Sequence, residues 1–144
     1  MQINEETIRS IVEKVFAETA ASDGGGGFQK QVDPSGIIGV KTSTVPLEPF
    51  EGRDSVRLRD VATLEEAPRI GCGVMELADS ADFEWTLTYD EWDVILEGRL
   101  EIRIDDRVVG GDAGDVIYIP RGSHIHFSTP QYAKFVYTVF PADW

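Results

Sequence analysis

Glu91 and Asp93, in the run DEWDVILEG, are the two residues whose type and spacing point most directly to chemistry. They stand two apart in a segment that reads as a strand, so both project from one face. If that face is a barrel interior, their mutual repulsion raises one of the two pKa values and gives a carboxyl suited to general-acid work. They are the candidate catalytic pair. Aromatic and acidic groups surround them in sequence: Glu84, Trp85 and Tyr89 before, Trp92 between, and Tyr118 in DVIYIP. These are candidates to line a barrel mouth and touch a small-molecule substrate, although core packing explains Trp85 and Tyr118 equally well. His124 and His126, in SHIHFS, complete the set of candidate binding residues. Each reads first as an ordinary surface or turn histidine; a bulge would be needed to turn one inward, where Glu84 and Glu91 would join it in an irregular oxygen-rich site.

The elements that must hold these residues are strands. From Gly36 to Phe140 the chain is a succession of short β-rich runs, among them SVRLRDV, IGCGVMEL, FEWTLT, WDVILEG, RLEIRI and KFVYTVF. In RLEIRI, Leu100, Ile102 and Ile104 share one face and Arg99, Glu101 and Arg103 the other, the period-two signature of a half-buried strand. Many short strands separated by glycine, proline and aspartate turns predict a sandwich, jelly roll or closed barrel, architectures that protect strand edges. Gly98 is expected to end one strand at a tight hairpin, with Asp105-Asp106 turning the next. Pro120 closes DVIYI because it has no ladder donor, and Gly122 supplies the turn that follows. Cys72, the single cysteine, reads as a buried strand residue and not as a nucleophile.

Ahead of the strands, Ile8, Ile11, Val12, Val15 and Phe16 recur at the spacing of one helical face, with Asn4 as N-cap and Ile3 as a staple. Gly24 to Gly27 then read as a flexible tether. The expected organisation is an amphipathic helix plus glycine-rich linker over 1–27 and a barrel domain over 28–144. The apolar stripe of such a helix must be buried on its own barrel, on a twin subunit or on a separate partner.

At 144 residues there is room for one core, and the formal charge of −13 repels the phosphates of nucleic acid and anionic membrane surfaces. No apolar run approaches the roughly 20 residues of a membrane span, and no signal-peptide pattern opens the chain, so a cytoplasmic location is expected.

Two linked patterns resemble the cupin superfamily. Glu91, six residues and Gly98 match its first motif; Gly114, five residues, Pro120, one residue and Gly122 match its second, after a short intermotif segment. The resemblance implies an all-β fold, a cupin-type jelly-roll barrel (double-stranded β-helix), here with a short tethered N-terminal α-helix. Family members that bind metal do so through a His-x-His pair ahead of the glutamate and a further histidine after the second glycine. Here the paired positions are Trp85 and Leu87, or Glu84 and Thr86, and the third is Ile125, with His124 and His126 on either side and directed to the opposite face. No tightly bound metal is expected.

DPSGIIGVK (Asp33 to Lys41), DEWDVILEGRLEI and IPRGSHIHFSTP further resemble the cupin domain of the ethanolamine-utilisation EutQ family. That likeness implies a cytoplasmic homodimer of a bacterial microcompartment, with acetate kinase activity on acetate and ATP with Mg²⁺. It also makes the N-terminal helix similar to an encapsulation peptide that docks on a shell or cargo protein. Glu91 or Asp93 would stand near the phosphoryl group. GIIGVKT lacks the glycine before lysine of a phosphate-binding loop and reads as a strand, which leaves Lys41, Arg53, Arg57 and Arg59 as cations for phosphate. The alternative is a non-catalytic, metal-free cupin that dimerises, takes a small ligand and supports microcompartment assembly or regulation.

Overall fold

From Lys30 onward apolar residues alternate or run in short blocks bounded by Gly, Pro and Asp, a pattern that commits the backbone to strands. The structure, a computed structural model, describes residues 27–144, and the chain divides between Pro46 and Leu47 into two units. The described part of the first unit is a hairpin of β1 (Lys30–Val32) and β2 (Ile38–Val40), paired Lys30 to Val40, followed by a 3-10 turn at Thr42–Thr44. Its turn is set by Asp33, whose carboxylate accepts the Ser35 amide at 2.9 Å.

The second unit contains β3 (Glu48–Phe50), β4 (Arg53–Asp60), β5 (Gly71–Leu77), β6 (Asp82–Thr86), β7 (Asp90–Ile104), β8 (Arg107–Asp112), β9 (Val116–Ile119), β10 (His124–Ser128) and β11 (Ala133–Phe140). They form one curled nine-stranded sheet in the order β3-β4-β5-β11-β7-β10-β6, with β8 and β9 also paired to β7. The inner face carries Val56, Leu77, Leu87, Ile95, Leu100, Ile125 and Phe135, all essentially inaccessible to water. Each such side chain contributes about 1.5–3 kcal/mol by burial.

The expected fold class needs one correction. Strands and one 3-10 turn account for the regular structure, and no α-helix occurs among the described residues. Their period-two pattern offers no long stretch of helical spacing. The fold described is therefore all-β, without the tethered helix; the segment to which that helix was assigned lies in residues 1–26, outside the described residues.

A second correction concerns Gly98. It ends no strand, because β7 runs through it for fifteen residues. The first half of β7 pairs with β11 and β9, and the second half with β10 and β8. Between the halves the register to β11 slips, with Lys134 opposite Glu97 and Phe135 opposite Ile95, and Gly98 takes a φ of +71°. A bulge followed by a left-handed residue bends a strand sharply. It also resets which residues face inward: Glu91, Asp93 and Ile95 are buried before the bend, Leu100 and Ile102 after it. The hairpin lies where Asp105-Asp106 joins β7 to β8, with Ile104 opposite Arg107.

A side chain at Gly98 would combine left-handed strain with collision against the Tyr132 carbonyl, whereas Gly122, at φ +89°, has open space around it. Gly98→Ala is expected to cost about 3 kcal/mol or more in denaturant unfolding, and Gly122→Ala only the roughly 1–2 kcal/mol of backbone strain. Equal losses would show that the bend does not depend on that close approach.

Candidate functional site

The bend places Glu91 and Asp93 on the inner face of the barrel. Neighbouring strands surround them with apolar groups, since Glu91 lies opposite Ile119 of β9 and Val139 of β11, and Asp93 opposite Ile117 and Tyr137. Glu91 is 4% exposed and Asp93 fully buried. Among the described residues, neither oxygen of Asp93, nor Oε2 of Glu91, meets a backbone or side-chain donor. Two ionised carboxylates have only acceptors to offer each other, so relief comes when one carries a proton and donates it to the other. Burial, then the charge of Glu91 and the bond to it, pushes the Asp93 carboxyl well above the usual carboxylate range. Glu91 is also raised by burial, with the bond from Asp93 working against the rise. The pair is best described as two carboxyls sharing one proton, held mainly by Asp93.

Above Glu91 is a small cavity of about 30 Å³. Leu58, Met75 and Val139 are among its aliphatic lining, and Phe50, Phe83 and Phe127 among its aromatic lining. Trp85 and Tyr89 also line it, and Trp85 Nε1 donates to the Tyr89 hydroxyl at 2.8 Å. Trp144 packs across both, its ring 6.0 Å from Trp85 and 5.3 Å from Tyr89. Tyr137 also lines the cavity and donates its hydroxyl proton to Asp60 at 2.5 Å. Burial, followed by neighbouring carboxylate charge, raises both tyrosines well above their ordinary range.

Four of the sequence-derived site residues thus meet at one place: Trp85, Tyr89, Glu91 and Asp93. The other five lie elsewhere. Trp92 and Tyr118 are neighbours across β7 and β9 on the outer surface, 5.1 Å apart and about half exposed, with the Tyr118 hydroxyl donating to Asp90 at 3.1 Å. Glu84, His124 and His126 lie on the outer face of β6 and β10. The pairing of those strands is continuous from His124–Thr86 to Ser128–Asp82, so no bulge turns an imidazole inward and Ile125 fills the interior. His124 bonds Thr86 at 2.6 Å and approaches Glu84 at 3.2 Å; His126 bonds Asp82 at 2.5 Å, and Asp82 also pairs with Arg103. These are exposed contacts that contribute little to stability.

The interior positions where related barrels hold imidazoles carry Trp85, Leu87 and Ile125, which do not fit a transition metal beside Glu91. Among the described residues no group of three or more His, Cys, Asp or Glu is placed to hold a metal ion.

Tyr137, Phe50 and Trp144 were absent from the sequence-derived site. Tyr137 was available from the alternation Phe135, Tyr137, Val139; Trp144, beyond the last strand, carried no periodic signal. Cys72 is half-buried and not a core residue, and burial raises its thiol pKa.

Comparison with known proteins decides the relationship. The model of the family described as ethanolamine utilisation protein EutQ matches residues 3–144. The chain belongs to the EutQ family. It is 41% identical to a Clostridioides difficile strain 630 protein named acetate kinase EutQ, over 97% of this chain and 90% of that one. It is 34% identical to the Salmonella typhimurium protein of the same name, but spans only 64% of that longer relative. Among solved structures, the Clostridium difficile EutQ protein superposes with a TM-score of 0.75 at 45% identity, over 81% of this chain and 89% of that chain. The cupin domain of Schizosaccharomyces pombe Cnp3, 17% identical with a TM-score of 0.60 over 73% of this chain and 70% of its own, shows the shared cupin fold. No helix among the described residues is long and apolar enough to cross a membrane.

The raised carboxyl has a consequence for stability. A folded-state pKa above the unfolded value means that the fold holds a proton the unfolded chain releases. The contribution is complete below the ordinary carboxylate range and is lost as pH rises toward the folded value. Asp93→Asn removes this dependence while its amide keeps a donor for Glu91. Its unfolding free energy relative to the parent is expected to improve between pH 5 and pH 8, by at most about 1.4 kcal/mol per pH unit. Parallel stability curves would show that Asp93 ionises normally in the fold.

Proposed function

We propose that this EutQ-family chain catalyses the reaction for which its relatives are named, acetate kinase. The observation that carries this reading is the 41% identity to the C. difficile protein over 90% of that relative. An acetate oxygen would bond to the γ-phosphorus of ATP as the bond to the β,γ-bridging oxygen breaks, its electron pair leaving with ADP. Mg²⁺ would arrive with the nucleotide, and the shared proton of Glu91 and Asp93 would offer the substrate carboxylate a hydrogen bond. With saturating acetate and MgATP, acetyl phosphate should form, and Glu91→Gln or Asp93→Asn should lower kcat at least tenfold. No product above a buffer control ends the proposal.

A second reading, a non-catalytic cupin that binds a small molecule, is favoured by the chemistry of the cavity wall. Among the described residues no lysine or arginine lines it. Arg53, Arg57 and Arg59 engage Glu51, the Leu47 carbonyl and Glu48. In this reading the protein is a cytoplasmic homodimer that works in a bacterial microcompartment. Exposed apolar residues on the outer face of β7 and β9, namely Trp92, Val94, Val116 and Tyr118, support self-association. Light scattering after gel filtration should give a dimer, and the double variant Trp92→Glu, Val116→Glu a monomer. A parent protein that elutes as a monomer rules the dimer out.

A further inference from the structure

We infer that the barrel cavity is a receptor for a small primary ammonium ion, held by Glu91 Oε2 and the surrounding aromatic faces. The inference deepens the small-molecule-binding reading and rests on it; it does not require phosphoryl transfer.

Glu91 is nine-tenths or more buried, lines the cavity, and has an Oε2 atom with no donor. A buried acceptor that carries charge needs a donor, and leaving it without one costs free energy. Among the described residues, no other polar group at the wall bonds to that atom. The Tyr137 proton is directed to Asp60, and the Trp85 N–H is directed to Tyr89. Tyr89 accepts that N–H and keeps its own hydroxyl proton, so the wall presents the Glu91 and Tyr137 acceptors, one hydroxyl donor and π faces. Phe50, Trp85, Tyr89 and Trp144 surround the space, together with Phe83, whose ring already carries the Arg53 guanidinium at 4.7 Å, and aromatic faces attract cations most strongly where water is excluded.

The same wall discriminates among cations. A hard divalent ion needs six or more oxygen ligands, which an aromatic chamber with one lining carboxylate does not provide. An ammonium group brings its own donors: one meets Glu91 Oε2, and the others have the Tyr137 oxygen and ring faces. One negative charge on the Glu91–Asp93 pair matches one positive charge on the ligand. A cavity of about 30 Å³ restricts the organic part to a few atoms. The overall charge of −13 raises the local concentration of cations at the mouth.

The test is calorimetry on the full chain at pH 7, titrating separately 2-aminoethanol hydrochloride, ethylammonium chloride, tetramethylammonium chloride, ethylene glycol and sodium acetate. Tryptophan fluorescence serves as a second readout because Trp85 and Trp144 face the cavity. Saturable one-to-one binding of the two primary ammonium ions is expected, with at least tenfold weaker binding of the other three. Glu91→Gln should weaken ammonium binding at least tenfold. If that variant does not fold, Trp144→Ala should weaken it severalfold by removing one aromatic wall. Binding of acetate or ethylene glycol with inert ammonium ions overturns the ammonium assignment and leaves a binding barrel. Tetramethylammonium binding as well as ethylammonium, or unchanged affinity in the variants, also overturns it. No binding by any probe overturns both the assignment and the reading beneath it.

Discussion

Two carboxyl groups on the inner face of β7 share a proton, since among the described residues no other donor bonds to Asp93 or to Glu91 Oε2. Their neighbours across both flanking strands are Ile117, Ile119, Val139 and a tyrosine whose proton is already committed. Desolvation therefore governs the pair: burial among apolar side chains is the first cause that raises both carboxyls. A core of this size would be better stabilised by leucine or valine at both positions. Placing two acids there sacrifices stability, and the aromatic chamber over Glu91 identifies where that sacrifice has a use.

The bend in β7 makes the pair possible. In an unbroken strand the parity that buries Glu91, Asp93 and Ile95 would next bury Glu97, Arg99 and Glu101, a row of charge no core of this kind could hold. The slip against β11 and the left-handed Gly98 change the parity, so that Leu100 and Ile102 continue the core. The same glycine lets one strand serve two pairs of neighbours, and the sheet closes around the acids instead of remaining open beside them. Fold and site thus rest on one local backbone feature.

This explains what the sequence disclosed and what it concealed. RLEIRI and DEWDVILEG each show their own alternation, so the inward faces of both halves were legible, and the Glu91–Asp93 pair with them. That the halves form one strand was not legible: a glycine after an apolar run signals a hairpin end as readily as a bulge. The histidines separate for a related reason. Period two fixes that His124 and His126 share a face, but only the pairing to β6 and β10's buried Ile125 shows that this face is outside. Trp92 and Tyr118 lie outside the barrel cavity by the same parity, since alternating strands that bury Glu91 and Asp93, or Ile117 and Ile119, expose the residue between them. Trp144 belongs to no strand, and only tertiary packing brings it to Trp85 and Tyr89.

A cupin barrel with imidazoles inside uses them to hold a metal ion, and the metal supplies the positive charge on which its chemistry depends. Here tryptophan, leucine and isoleucine occupy those interior positions while the glutamate remains. The remaining acid then stands in a chamber where no described residue gives it a positive partner, and its Oε2 atom is unsatisfied. Such a site reverses the usual electrostatics of the fold: the protein provides the negative charge and the occupant must bring the positive charge or the proton. Asp93 fits this arrangement because a proton resting on it makes the pair a single, not a double, negative charge. The barrel can then be empty without two adjacent buried anions and still present one anion to whatever enters.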